Sequence, residues 1–131
     1  MFKKTLIKKS KQLIHYYVTI KSNLLEISIL TDRIRDTDKL STLQRQGQIN
    51  KLHDKTYKLS LAFIDEYTII QLLINTDNYQ AEKEEINKTI NFKEIETMYN
   101  EVISYKQKED KKIDLVLEEL FRRYDFNDEN S

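Results

Sequence analysis

Apolar residues recur every seven positions from the start of the chain: Leu6, Leu13, Ile20, Ile27 and Ile34. Tyr17, Leu24 and Thr31 follow four residues after Leu13, Ile20 and Ile27. Recurrence at seven and four residues puts these side chains on one side of an α-helix pressed against another helix. It predicts a first helix over about 3–35, roughly 50 Å long at 1.5 Å per residue. A second stripe, Ile7, Ile14, Val18, Leu25 and Ile29, runs beside the first. Two stripes widen the apolar face, so this helix should meet more than one neighbour.

Asp36 to Ser41 reads as the first connection, because Asp, Thr and Ser offer oxygens to the free N–H groups of the next helix. A second helix follows over about 41–75, with Ile49, Leu52, Thr56, Leu59, Phe63, Tyr67, Ile70, Leu73 and Ile74 as its main stripe. Gly47 weakens its first turns by about 1 kcal/mol relative to Ala, and a break there is the alternative to a continuous helix. Between Leu59 and Ile74 a second stripe, Leu61, Ile64, Thr68 and Leu72, nearly encircles the helix. This half is therefore expected to be the most buried part of the molecule. Asn75 to Asn78 is the second connection, and a short charged helix over 79–90 carries Ile86 and Ile90. Asn91 stands three residues before Glu94, in the spacing of a capping box, and opens a last helix over 92–124. Its apolar positions are Ile95, Met98, Tyr99, Val102 and Ile103, then Ile113, Val116, Leu117, Leu120, Phe121 and Tyr124. The stretch 106–112 between them has no apolar residue, and without Gly or Pro it is expected to stay helical.

Composition sharpens this picture. The 131 residues include no Pro, one Gly and no Cys, and 34% are charged. Tight β-turns lean on Gly and Pro, so a chain with almost none of these points to long helices. The fold class is all-α: an up-down bundle of three long amphipathic helices plus one short helix, packed in the manner of a coiled coil. Its length suits one domain, 1–124, followed by a frayed acidic tail, 125–131. Without Cys there is neither a disulfide nor a thiolate site, which fits a reducing compartment and a cytoplasmic location. The apolar stretch from Leu13 to Leu30 is interrupted by His15, Lys21, Ser22, Asn23 and Glu26, so no transmembrane segment is expected.

Charge is balanced overall but polarised along the chain. Residues 1–25 carry six lysines and no acid, residues 26–80 a net −1, and residues 81–131 a net −5. Lys3, Lys4, Lys8, Lys9 and Lys11 beside Leu6, Ile7, Leu13 and Ile14 form the pattern of a helix that binds an anionic surface. Yet residues 1–25 contain no Arg, the usual bidentate reader of phosphate and guanine. The plainer account is internal. In an up-down bundle the first long helix runs parallel to the third, which would place these lysines near Glu82, Glu84, Glu85, Glu94 and Glu96.

Catalytic and metal chemistry find little footing. His15 and His53 lie off the main stripes, and no Glu-x-x-His occurs, so the di-iron bundle pattern is missing. Glu82 and Glu85 have the spacing of one magnesium-binding pair in all-α nucleotide pyrophosphatases, but no second pair follows. Arg45 and His53 are separated by seven residues, more than the four to six of a known class of helical toxin ribonucleases. No Gly-rich phosphate loop or Ser–His–Asp signature is present. The tyrosines and phenylalanines stand at helical spacing and are read as packing residues, with no cofactor implied.

These observations point to a non-catalytic protein–protein interaction protein: an adaptor, an assembly chaperone, an inhibitor or immunity-type protein, or a structural subunit. Ile14, Val18 and Leu25 on the first helix and Leu61, Ile64 and Leu72 on the second are the expected partner-binding residues; the competing expectation is their burial within the bundle. Surplus apolar surface suggests a homodimer. The alternative is a nucleic-acid-associated accessory protein using the five N-terminal lysines.

Overall fold

The computed structural model describes residues 1–34 and 39–124. They form four α-helices, α1 Phe2–Ile34, α2 Lys39–Ile74, α3 Asp77–Thr89 and α4 Phe92–Tyr124, and contain no strand. Three long helices and one short one thus pack as the periodicity predicts. Helix α2 runs unbroken through Gly47, and α4 stays helical across 106–112. Residues 36–38 of the expected first connection and the expected tail 125–131 lie outside the described residues; Lys39, Leu40 and Ser41 are already helical. Asp77 and Asn78, expected in the second connection, form the first turn of α3.

The caps follow from residue chemistry. Thr76 accepts a hydrogen bond from the Tyr79 amide at 3.3 Å and so satisfies a free donor at the start of α3. Asn91 accepts from the amides of Lys93 and Glu94 at 3.1 and 3.2 Å, as the Asn91–Glu94 spacing anticipates. The backbone leaves helical geometry at Ile90, which separates α3 from α4.

Helices α1 and α2 make the most extensive contact, and α4 lies mainly on α2. The rings of Tyr67 and Tyr99 stack at 4.0 Å, and Tyr57 donates to Asp110 at 2.6 Å. Rising numbers on α4 meet falling numbers on α2, so the two run antiparallel. Helices α1 and α4 are parallel and touch sparingly.

The heptad of α1 supplies the seam. Leu6, Leu13 and Ile20 are buried against Phe63 and Ile70 of α2, Tyr79 and Ile86 of α3, and Ile95 and Val102 of α4. Three small polar residues, Ser10, Thr56 and Ser60, are buried in the long helices. Each hydroxyl donates to the carbonyl four residues earlier, so the small side chains sit in the interior without an unmet donor. This core occupies one end of the molecule, here the near end, where α1 begins, α2 ends and α3 crosses over. At the far end Ile27 and Ile49 are buried, but they stand apart from the main cluster.

The second half of α2 is less enclosed than its apolar residues suggest. Phe63 and Ile70 are fully buried, whereas Leu61, Ile69 and Leu72 are exposed. Only the faces turned to α1, α3 and α4 find neighbours, and no further helix among the described residues covers the outer side of α2.

The two classes of position should separate on mutation. Phe63→Ala should cost about 3–5 kcal/mol, as for a large side chain removed from a closed core. Leu72→Ala should stay within about 0.5 kcal/mol. Urea unfolding of both variants checks this.

Candidate partner interface

Helix α4 is anchored along its first half and exposed along its second. Stacking of Tyr67 on Tyr99 and the bond from Tyr57 to Asp110 hold it to α2. Asp110 also accepts from Lys106 at 2.6 Å, and these two bonds, that from Lys106 first, hold its carboxyl below the usual range. His53 Nδ1 lies 3.4 Å from the Tyr105 hydroxyl and 3.9 Å from Glu109. Beyond this point Ile113, Val116, Leu117 and Leu120 are 52, 59, 44 and 38% exposed. Phe121 and Tyr124 continue the same face and are also exposed. Spacings of three and four residues align all six in one stripe, in phase with the buried Ile95 and Val102.

The reason lies on α2. His53 and Tyr57 face α4, and one heptad earlier the corresponding positions are Gln46 and Asn50. These two bond one another at 3.0 Å and offer no apolar surface. Gly47 lies between them, and a Cβ there would meet nothing within 4 Å. Where the near half of α2 presents Ile64 and Tyr67, the next heptad toward the far end presents the amides of Gln46 and Asn50; Leu40 and Leu43, further along α2, are exposed as well.

The residues expected to bind a partner are mostly accessible. Ile14, Val18, Leu25, Leu61 and Leu72 are exposed, with Leu25 and Leu72 about two-thirds so. Ile64 differs: it is half-buried and packs against the core, because it points to the α4 side of α2. The far stripe of α4 is the larger continuous surface and was not among the expected partner-binding positions. Its residues are legible as a stripe, but its exposure depends on the polar residues opposite it on α2.

The five lysines divide. Lys3 bonds Glu85 at 2.8 Å, which holds the Glu85 carboxyl below its ordinary range, and Lys9 reaches Glu66 of α2 at 3.3 Å. Lys4, Lys8 and Lys11 form no ion pair with any described residue. They share a face of α1 with Ile7 and His15, and Lys11 also borders a cleft lined by Glu94 of α4. Internal pairing therefore accounts for Lys3 and, through α2, for Lys9, but not for Lys4, Lys8 and Lys11.

Sparse contact between α1 and α4 leaves a cleft of about 570 Å³ lined by Tyr17, Ile20, Lys21, Glu101, Tyr105 and Lys108, among others. Tyr17 donates to Glu101, and Lys21 lies 3.6 Å from the same carboxylate. That hydrogen bond, then burial, pushes the Tyr17 phenol up to about 12. Burial, then the nearby Glu109, does the same for Tyr105, also to about 12. The contacts of Tyr17 and Lys21 with Glu101 tie the two walls of the cleft together. Of the spaced pair Glu82 and Glu85, Glu85 is held by Lys3, and one buried Glu82 oxygen has no hydrogen-bond partner. Among the described residues no three His, Asp or Glu side chains converge as metal ligands would, and no helix is long and apolar enough to cross a membrane.

Comparison of the chain with protein-family models, with characterised proteins and with solved structures finds no match in any of the three.

The raised phenols give a pH signature. Both folded-state values lie above the ordinary 10.0, so the neutral phenol is favoured on folding. The stability this contributes is complete below pH 10 and is lost as the pH rises toward 12. Ultraviolet titration should show late phenolate formation, and Tyr17→Phe and Tyr105→Phe should each remove one late group.

Proposed function

We propose that this chain is a non-catalytic, helical protein–protein interaction protein. The observation that supports the reading most is the far half of α4, where Ile113, Val116, Leu117 and Leu120 present a continuous apolar stripe to solvent. A stripe of this spacing is the form in which one amphipathic helix receives another. Val18 and Leu25 of α1 and Leu61 and Leu72 of α2 add exposed apolar positions elsewhere on the bundle. The role is one of assembly, as an adaptor, chaperone, inhibitor or structural subunit, and a reducing, cytoplasmic setting agrees with a chain that has no Cys. Isolation under native conditions from the source cells tests it. The chain should emerge in a protein assembly that survives nuclease and moderate salt; recovery only as a lone chain or bound to nucleic acid would refute it.

A second reading rests on Lys4, Lys8 and Lys11, which lie on one face of α1 without acidic partners among the described residues. In this alternative they bind the phosphates of a nucleic acid, and the chain is an accessory protein.

Replacing Lys4, Lys8 and Lys11 together by Gln separates the readings. With no ion pair to lose, stability should change by no more than about 0.5 kcal/mol. For an interaction protein, wild type and variant should both bind a DNA duplex or single strand negligibly at near-physiological salt. Micromolar binding that falls steeply with salt and vanishes in the triple variant would promote the second reading.

A further inference from the structure

We infer that the far stripe of α4 is the seat of a second copy of this chain, the two copies pairing through Ile113, Val116, Leu117 and Leu120. The inference rests on the protein-interaction reading and names the partner.

The exposed face has the dimensions a self-pairing helix needs. From Ile113 to Tyr124 it extends over three turns, roughly 16 Å at 1.5 Å per residue. Its six side chains are each about half exposed, between 38 and 60%. At roughly 100 Å² apiece this is about 600 Å² per copy, or about 1,200 Å² for two, which clears the roughly 1,000 Å² expected of a specific interface.

Other occupants fit less well. A membrane-surface helix carries a basic polar face, but here Asp114, Glu118 and Glu119 intermix with Lys111, Lys112, Arg122 and Arg123. Glu119 is already engaged by Arg122 and Arg123 of its own helix. Mixed charge of this kind gives neither a lipid headgroup nor a nucleic-acid backbone a field to follow. Apolar spacing of three and four residues does suit a helix with the same spacing, and the same chain supplies one. A two-fold axis then covers both stripes at once, whereas a head-to-tail contact would leave one stripe open at each end of the assembly. The open space beside Gly47 leaves room for the incoming helix, and Leu40 and Leu43 of α2 are exposed at the same end.

The experiment uses the recombinant full chain without other components. Sedimentation equilibrium from micromolar to about 100 µM should give the mass of two chains. Combined substitution of Val116→Glu and Leu120→Glu should raise the dissociation constant roughly a hundred-fold or more, since each would place a carboxylate in an apolar seam. Both positions lie outside the main core, so by circular dichroism the variant should still unfold cooperatively, with any loss of helix confined to the turns after Asp110. Leu72→Glu, on the outer side of α2, should leave the dimer intact. An independent measurement avoids dependence on charged variants. The chain has no Cys, so Leu117→Cys introduces a single thiol. Mild oxidation should link two copies through Leu117→Cys and not through Leu72→Cys.

A wild-type mass of one chain across this range overturns the inference. So does a Val116→Glu, Leu120→Glu variant that remains dimeric, or equal cross-linking at both thiol positions. Failure here is distinct from failure of the wider reading. A lone recombinant monomer removes self-pairing only, while the native isolation described above decides whether the chain works in a protein assembly.

Discussion

Burial of the α1 heptad against the second half of α2 is the contact on which the other elements depend. Leu6, Leu13 and Ile20 meet Phe63 and Ile70 with almost no residual exposure, and Ser10, Thr56 and Ser60 occupy interior positions in the same helices. At about 25 cal/mol per Å² of apolar surface removed from water, such a seam supplies most of the drive to fold. Helix α3 adds Tyr79 and Ile86 to one end of it. The Tyr79 and Phe92 rings meet edge to face at 5.9 Å and bring the start of α4 to the same cluster.

The molecule is consequently asymmetric along its length. At the near end four helices share one core. At the far end α1 and α2 bury Ile27 and Ile49, while α4 continues beside a face of α2 that holds Gln46, Gly47 and Asn50. An apolar stripe set opposite amides gains little by approaching them, since each amide brought inward would need a hydrogen-bond partner. Here Gln46 and Asn50 bond each other and remain in water.

Periodicity made the helices legible. Heptads on α1, the stripe around Phe63 on α2 and the cap at Asn91 each follow from one stretch of chain read by itself. Continuity through Gly47 was less accessible, because a single glycine weakens a helix by an amount that tertiary packing readily offsets. Interface positions were harder still. Ile14, Val18 and Leu25 stand beside a buried stripe and could be seen as surplus, whereas the exposure of Val116 and Leu120 requires knowing that His53 and Tyr57 set the register of α4 on α2. Nothing local to 113–124 distinguishes that stripe from a buried one. The pairing of Lys3 and Lys9 likewise turns on which side of α1 faces α3 and α2, a matter of a few tens of degrees around the helix axis.

Asp110, held by Tyr57, lies where α4 passes from buried to exposed apolar positions, and it divides α4 into two thermodynamic regimes. Before it, unwinding a turn would forfeit core packing. After it come about 14 residues whose apolar side chains are largely exposed, a length at which an isolated helix in water is marginal. Backbone amides on the two sides of Asp110 thus belong to different opening equilibria, one tied to global unfolding and the other to local fraying. Occupancy of the far stripe would join them into one. Helicity near Tyr124 then becomes a property of the assembly, and the free energy of docking is partly spent on ordering the segment that docks.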